Sequence, residues 1–237
     1  VLDYVIGGEF FSHLRNTGIL EPESASFYIS QVVLIFEHLH EKGIIYRDLK
    51  PENLLLDDEG YLRITDFGFA KIVEYKTFTL CGTPEYIAPE VLLNKGHGRG
   101  VDWWTLGILL YECLAGGPPF VDEDPMGIYN KVLSSDLRFP KWYEKNARGL
   151  TKKLLQHDLT RRYGCLRNGS RDVKKSKFLA KIDWEALFNK ELKAPMIPNI
   201  SHPSDTSNFE EYPDSDEEME LKDPPPMNEF DDPFVYF

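Results

Sequence analysis

One segment constrains the fold more than any other, because residues 101–115 are apolar on nearly every side. A helix that is hydrophobic all round has to be buried by other elements of the protein. Its longest apolar stretch is interrupted by Glu112 and is shorter than the roughly 20 residues that a membrane span needs. The sequence therefore predicts a helix that is enclosed on all sides within a packed domain.

Hydrophobic periodicity predicts further helices on both sides of this one. Pro22 followed by Glu23 is typical of a helix start, apolar residues then recur at helical spacing, and Gly43 ends the pattern. A shorter helix that begins at Glu9, before the helix that Pro22 starts, is expected to stop by Gly18. The predicted helices cover residues 9–15, 22–43, 101–115, 125–134, 147–157 and 172–178.

Three other stretches lack a helical period. Residues 44–65 contain short apolar runs separated by Asp57-Asp58-Glu59-Gly60, a strong turn signal, and predict a short β-hairpin region. Residues 67–100 hold Gly, Pro, Thr and Lys without periodicity, and predict a long loop of the kind that is usually functional. From Lys193 onwards, proline-rich and acidic sequence predicts a tail rather than a second domain.

Composition and charge exclude several classes of protein. Hydrophobic residues make up 42% of the 237 residues, which is enough for a packed core and argues against global disorder. Most of the net charge of −12 lies in residues 201–237, which hold twelve acidic residues and one lysine. No basic stripe is available to cover a phosphate backbone, so we expect no nucleic-acid partner.

The cysteines and the first residues bear on the compartment. Cys81, Cys113 and Cys165 are dispersed and form no C-x-x-C pair, which favours a reducing compartment over a disulfide framework or a zinc cluster. The opening residues lack the basic start and long apolar run of a signal peptide. We therefore expect an intracellular protein without a transmembrane segment, located in the cytoplasm and also in the nucleus.

Four short motifs follow one another within 45 residues. Taken singly, an Arg-Asp pair or an Asp-Phe-Gly is more often an ordinary turn, but an ordered set of four is not expected by chance. The set resembles the signature of the protein kinases, with Tyr46 in place of the usual histidine of the catalytic loop. The motifs are Tyr46-Arg47-Asp48-Leu49-Lys50-Pro51-Glu52-Asn53, Asp66-Phe67-Gly68, Gly82-Thr83-Pro84-Glu85-Tyr86 and Ala88-Pro89-Glu90.

The residue types in these motifs suit phosphoryl transfer from ATP. Magnesium needs hard oxygen ligands, which Asn53 and Asp66 supply. Asp48 is five residues before Asn53 on the same loop and is the candidate to accept the proton of the substrate hydroxyl, while Lys50 places an ammonium near the transferred phosphate. The predicted cofactors are therefore ATP and Mg²⁺, and the predicted catalytic residues are Asp48, Lys50, Asn53 and Asp66.

Longer segments resemble the AGC group of serine/threonine kinases, and its cAMP-dependent branch in particular. The terminal Phe234-Val235-Tyr236-Phe237 favours this branch. Asn94-Lys95-Gly96-His97 and Asp124-Pro125-Met126 are instead more similar to the cGMP-dependent kinases, which stay an alternative. The other segments that carry the cAMP-dependent resemblance are residues 7–15, 101–104 and 205–209.

The resemblance implies a mainly α fold, in which a kinase large lobe with a short β-hairpin region is followed by an extended tail. The lobe would cover residues 6–192 and the AGC-type tail 193–237, with residues 1–5 as the hinge remnant of a small lobe. The sequence contains no G-x-G-x-x-G loop and no V-A-I-K lysine of such a lobe. We therefore expect a truncated product or an incomplete gene sequence, with little kinase activity by itself and a loose tail.

The resemblance also implies roles for residues outside the chemistry. Thr79 would be an activating phosphosite whose phosphate is clamped by Arg47 and Lys71. Asp102 would brace the catalytic loop by accepting backbone N–H groups, although a helix N-cap role is equally compatible with its position. A structural ion pair would form between Glu90 and Arg162.

Binding residues follow from the same resemblance. Carboxylates suit the planar fork of a guanidinium, so Glu9, Glu52 and Glu112 would select arginine upstream of the target Ser or Thr. Taken singly, Glu9 or Glu112 is more often a solvated helix residue. An apolar pocket for the residue after the target would consist of Leu80, Pro84 and Ile87, and the nucleotide would contact Asp3, Val5, Glu9, Leu55, Thr65 and Phe209.

The implied partners are protein substrates with basic Ser/Thr sites and a cAMP-binding regulatory subunit. Two other classes of function stay open. One is a non-catalytic fragment that docks regulatory or inhibitor proteins through residues 79–90 and the helix near Met126. The other is a regulatory pseudokinase, against which the intact Asp48, Lys50, Asn53 and Asp66 argue.

Overall fold

Two long helices surrounded by short ones dominate residues 3–209, the part of the chain that the computed structural model describes. The predicted mainly α fold is confirmed. In chain order the elements are α1 (Phe10–Thr17), α2 (Pro22–Glu41), β1 (Ile44–Ile45), β2 (Leu54–Leu56), β3 (Leu62–Ile64), β4 (Lys71–Ile72), α3 (Pro89–Leu92), α4 (Gly100–Ala115), α5 (Pro125–Ser134), α6 (Lys145–Leu154), α7 (Ser170–Lys174) and α8 (Trp184–Phe188), with 3₁₀ turns at Pro51–Asn53 and Pro84–Tyr86.

Helix α4 is the centre of the hydrophobic core, as its all-round apolar sequence predicts. Fourteen of its sixteen residues are buried, and α2 and α6 pack against it. Gly107 allows α6 to approach closely, because a Cβ at this position would lie 2.9 Å from the Cβ of Leu154. Elements attached to α4 are therefore anchored to the closely packed core of the lobe.

Both strand pairs are short and antiparallel. β2 and β3 form the predicted hairpin, in which Leu54 lies opposite Ile64. In the turn between them, one Asp57 oxygen accepts the N–H groups of Glu59 and Tyr61 at 3.1 and 2.9 Å, so the acidic turn is fixed by its own side chain. The second pair joins β1 to β4 and brings two distant parts of the chain together.

Several boundaries differ from those that periodicity predicts. Residues 67–100 do not form one continuous loop, because they contain β4, a 3₁₀ turn and α3, which are too short to show a period. Helices α6 and α7 each begin two residues earlier and end three to four residues earlier than predicted, and α8 is an additional helix. Side-chain caps explain two of these starts: Glu144 accepts the N–H of Ala147 in α6, and Asp183 caps α8.

Residues 193–209 pack on the helical lobe. The Asn208 side chain donates a hydrogen bond to the backbone oxygen of Ile6 at 3.2 Å. Asp205 accepts hydrogen bonds from Ser201 and Ser207, which hold the pKa of its carboxyl far below the usual range. Residues 193–209 therefore have defined contacts with the lobe, the loose tail over residues 201–237 stays a prediction, and the Phe-x-x-Phe terminus lies outside the described residues.

The predictions about cysteine pairing and membrane insertion can be compared with residues 3–209. All three cysteines are free thiols, as their dispersed positions predict. No helix in this part of the chain combines the length and the hydrophobicity that crossing a membrane requires.

A buried ion pair joins the last of the four motifs to the loop after α6. Arg162 is fully buried, and its guanidinium donates to both carboxylate oxygens of Glu90 at 2.6 and 2.9 Å. It also donates to the backbone oxygens of Gly100 and Gln156, and it lies 5.1 Å from the centre of a ring of Trp104. These bonds compensate the cost of removing the guanidinium charge from water.

We expect Glu90→Gln to lower the free energy of unfolding by about 3–5 kcal/mol, because the Arg162 charge stays buried without a counter-ion. Urea denaturation of the 237-residue chain measures this change. Asp136→Asn is the matched control, because it breaks an ion pair on the surface with Arg138, and such pairs contribute about 1 kcal/mol or less. Equal losses for the two variants would contradict the prediction.

Candidate active site

The catalytic-loop motif folds into a hydrogen-bonded network around Asp48. The Asp48 side chain is buried, and Asn53 Nδ2 donates both to its Oδ2 atom and to its backbone oxygen, each at 2.8 Å. Lys50 Nζ lies 3.3 Å from the same Oδ2. The Thr83 hydroxyl lies 3.5 Å from Oδ1. The loop therefore brings three predicted catalytic residues together, and it adds a contact from Thr83 that the motifs do not predict.

Asp102 connects this loop to the core. It is fully buried in the first turn of α4, where Oδ1 accepts the Arg47 N–H at 2.8 Å and Oδ2 accepts the Tyr46 N–H at 3.0 Å. His40 Nε2 lies 2.7 Å from Oδ2. Arg47 has a backbone φ of 71°, a value that residues other than glycine rarely adopt, and the hydrogen bonds to Asp102 hold that conformation. The N-cap alternative for Asp102 is wrong, because Arg99 occupies the N-cap of α4.

Asp66 follows the β2–β3 hairpin on a separate loop. It also has a positive φ, 53°, and its exposed carboxylate accepts the N–H of Gly68 at 3.0 Å. Two bonds connect its loop to the catalytic loop: Thr65 N–H donates to the Asn53 oxygen at 3.0 Å, and the Tyr46 hydroxyl donates to the Thr65 oxygen at 2.5 Å. The tyrosine that replaces the usual histidine thus helps to join the two loops.

Asn53 and Asp66 have the right chemistry to hold magnesium. Asn53 uses its Nδ2 atom to bind Asp48, which leaves its amide oxygen available as a ligand. Amide and carboxylate oxygens are the ligands that Mg²⁺ prefers. The acidic turn at residues 57–59 binds a lysine of the protein itself, because Lys190 Nζ donates to Asp57 and Glu59 at 2.7 Å. The donor set of the two joined loops therefore fits a magnesium ion.

The residues predicted to contact the nucleotide make several different contacts within the protein. Glu9 forms an antiparallel bridge with Leu55, which attaches the start of α1 to strand β2. Thr65 lies in the connection between the two catalytic loops. Phe209 packs against Tyr4, with 5.9 Å between the ring centres. Of the two remaining residues in the predicted nucleotide-binding set, Asp3 is exposed and Val5 is half-buried.

Glu112 and Glu52 are close enough to affect each other. Glu112 lies on α4 and accepts a hydrogen bond from the Tyr86 hydroxyl. Burial raises the pKa of Glu112, and the nearby carboxylates of Glu52 and Glu85 raise it further, although the bond from Tyr86 opposes them. A cation placed beside these acids would relieve both effects. Glu9, the third predicted member of the set, is bound at its backbone to β2 instead.

The predicted clamp residues for Thr79 contact other atoms in this structure. Thr79 is exposed, whereas Thr77 is buried and accepts a hydrogen bond from Lys71 Nζ at 3.1 Å. Arg47 Nε donates to the backbone oxygen of Phe69 at 2.7 Å. Thr77 is therefore the threonine that Lys71 contacts, and no local sequence pattern predicts this, because the burial of Thr77 arises from its pairing with His97.

The three residues predicted to form an apolar pocket differ in exposure. Leu80 is 64% exposed and Pro84 is half-buried, but Ile87 is only 6% exposed. Phe78, two residues before Leu80, is 62% exposed and adds apolar surface that the sequence analysis does not assign. The exposed apolar surface is therefore formed by Phe78 and Leu80, on either side of Thr79, and Ile87 contributes little to it.

Comparison with known proteins identifies relatives along the whole chain. Residues 1–179 match the protein kinase domain. The chain is 50% identical over 236 residues to the cAMP-dependent protein kinase catalytic subunit of Dictyostelium discoideum, covering 100% of this chain and 36% of that protein. It is 51% identical over 216 residues to the cAMP-dependent protein kinase catalytic subunit PRKX of Homo sapiens, covering 91% and 60%. It is 48% identical to cAMP-dependent protein kinase type 3 of Saccharomyces cerevisiae, covering 91% and 54%. The chain thus spans between about a third and three fifths of these curated relatives.

Proposed function

This chain belongs to the protein kinase family, and we propose that the full-length protein transfers the γ-phosphoryl group of ATP to Ser or Thr side chains of proteins. The observation that carries the proposal is the buried network in which Asn53 and Lys50 hold Asp48 beside the Asp66 loop. The names of the relatives support the serine/threonine class and favour the cAMP-dependent branch over the cGMP-dependent alternative.

In the proposed reaction, Asp48 accepts the proton of the substrate hydroxyl. The hydroxyl oxygen bonds to the γ-phosphorus while the bond from that phosphorus to the β–γ bridging oxygen breaks, and ADP leaves. Asn53 and Lys50 engage Oδ2 of Asp48 at 2.8 and 3.3 Å, whereas Oδ1 has only the long contact of 3.5 Å from the Thr83 hydroxyl, so Oδ1 is the atom proposed to receive the proton. The Lys50 ammonium offsets charge on the transferred group. Asn53 and Asp66 would hold a Mg²⁺ ion, which would supply neutralisation of phosphate charge.

We expect the full-length kinase to prefer substrates with arginine before the target residue. Glu112 and Glu52 repel each other, and a guanidinium between them would form charge-assisted hydrogen bonds. Glu112→Gln should therefore raise KM for an arginine-containing peptide about 10-fold with little change in kcat. Since the pKa of Glu112 is raised, this preference should also weaken as the pH falls and the carboxylate is protonated.

A peptide library measures the preference, and steady-state kinetics on one peptide measure the effect of the variant. Glu123→Gln is the matched control, because Glu123 is exposed on the loop before α5. A library profile that favours acidic or proline-directed sites would exclude the arginine preference.

We also propose Thr79 as the activating phosphosite. Thr79 is exposed to a modifying kinase, and Lys71 and Arg47 lie on neighbouring segments. A phosphate carries a charge of about −1.5 to −2 and would draw these cations toward it, which orders the segment. Mass spectrometry of active full-length enzyme should find phosphate on Thr79 and none on the buried Thr77. Full activity with unmodified Thr79 would rule this role out.

Two further proposals concern regulation and the activity of the chain by itself, and the relatives' names support the first. One is that a cAMP-binding regulatory subunit inhibits the full-length kinase and that cAMP relieves the inhibition. An added regulatory subunit that leaves the activity unchanged would argue against this partner. The second proposal rests on the sequence rather than on these names: the 237-residue chain by itself has little activity, because its sequence contains neither a glycine-rich loop nor the strand lysine.

A further inference from the structure

Arg47 and His97 line the same small cavity, and each has a buried nitrogen atom without a hydrogen-bond partner among residues 3–209. The atoms are Nη1 of Arg47 and Nε2 of His97, and His97 is only 3% exposed. The cavity has a volume of about 10 Å³, and its other walls include Cys81, Tyr86 and Thr105. Buried polar atoms normally have a partner, so this pair requires an explanation.

The size and chemistry of the cavity select one kind of ligand. A volume of about 10 Å³ is roughly the space that a single water molecule needs, and it is too small for a phosphate or a nucleotide. Arg47 can only donate, whereas a neutral His97 with its proton on Nδ1 can accept at Nε2. A water molecule accepts from the first group and donates to the second, so it satisfies both.

The two residues belong to different functional segments. Arg47 directly precedes Asp48, and its remaining contacts hold it to Asp102 and to the Phe69 oxygen. His97 is fixed by two backbone hydrogen bonds to Thr77, at 2.8 and 2.9 Å, in the segment that carries Thr79. A bridge across the cavity would therefore connect the catalytic loop to the segment proposed to be phosphorylated.

We propose that one buried water joins Arg47 Nη1 to His97 Nε2, and that His97 is a positioning residue for the catalytic loop. Both residues that would bind the water lie within residues 3–209, so the bridge can be tested without assuming kinase activity. The positioning role of His97 rests on the proposed kinase function. Through Arg47, the bridge fixes the backbone from which the Asp48 carboxylate projects.

The charges that face His97 are consistent with a neutral imidazole at pH 7. Burial is the largest cause that lowers its pKa, and the cations Arg47 and Lys71 lower it further, while the carboxylates of Glu90 and Asp102 act in the opposite direction. The two titratable groups in the cavity wall, the Cys81 thiol and the Tyr86 phenol, both have raised pKa values and are neutral as well.

The water bridge is tested first without reference to activity. Labelling the six histidines of the chain with ¹⁵N reports the protonation of each imidazole nitrogen by NMR. We expect His97 to be neutral at pH 7 with its proton on Nδ1, and a crystal structure that resolves ordered waters should contain one within hydrogen-bond distance of both atoms. A crystal structure without a water near both atoms, or with a direct Arg47–His97 hydrogen bond, would overturn the bridge, and a proton on Nε2 at pH 7 would overturn the assignment of Nε2 as an acceptor.

The positioning role is tested by kinetics of the full-length kinase. His97→Leu removes the acceptor and leaves the water without its second partner, so kcat should fall about 10-fold while KM for ATP stays unchanged. His97→Gln retains an acceptor and should restore most of the loss. His38→Gln is the control, because His38 is exposed on α2. Equal kcat values for the Leu and Gln variants would contradict the positioning role. An inactive wild-type enzyme would instead contradict the kinase proposal and leave the NMR result to decide the bridge.

Discussion

Replacing Asp48 with asparagine is expected to lower kcat of the full-length kinase on the order of 10³-fold. Asparagine has nearly the same shape as aspartate, so Lys50 and Thr83 keep a neighbour of the same size. It cannot accept the hydroxyl proton at neutral pH, and the reaction loses its base. Nucleotide affinity should change little, because Asp48 is assigned to the substrate hydroxyl rather than to ATP.

The rate of the chemical step has to be measured directly, because product release limits kcat in many enzymes. Rapid-quench experiments under single-turnover conditions separate chemistry from release. Asp58→Asn provides the control for a neutralised carboxylate, because Asp58 is exposed in the β2–β3 turn. A chemical step that is as fast in Asp48→Asn as in the wild type would remove Asp48 from the role of base.

The 237-residue chain by itself should phosphorylate an arginine-containing peptide at least about 10³-fold less efficiently than the full-length kinase. Its sequence contains the catalytic loop and the Asp66 loop, but neither the glycine-rich loop that covers the phosphates nor the strand lysine that binds them. Phosphoryl transfer depends almost entirely on positioning and charge stabilisation. A nucleotide held from one side therefore gains little from an intact Asp48.

A peptide-phosphorylation assay of the purified chain tests this prediction. The Asp48→Asn version of the same chain is the control, because any turnover that it retains comes from a contaminating kinase. Efficient turnover that Asp48→Asn abolishes would show that the chain is a sufficient enzyme.

The sequence predicts the fold best where a helix is long or its pattern is simple. Helix α4 was recognisable from its all-round hydrophobicity, and α5 has the predicted bounds, residues 125–134. Short elements such as α3 and α8 escape periodicity, because four or five residues make little more than one helical turn. Their existence depends on tertiary contacts and caps.

Sequence patterns predict only those contacts of the candidate site whose residues lie in one motif. Asp48, Lys50 and Asn53 are neighbours in sequence and also contact one another in the structure. The buried positions of Thr77 and His97 depend on a strand-like pairing across twenty residues, which no local pattern indicates. Contacts of this kind follow from how the chain returns on itself, and periodicity does not report them.

Asp102 has a consequence for motion as well as for geometry. Opening the catalytic loop alone would remove the two backbone N–H partners of a carboxylate that is fully buried, at a cost that the loop has no means to recover. We therefore expect the loop to open together with α4, the buried helix at the centre of the core, rather than separately from it. The amide protons of Tyr46 and Arg47 are then expected to exchange with solvent as slowly as those of α4, which amide hydrogen exchange would measure.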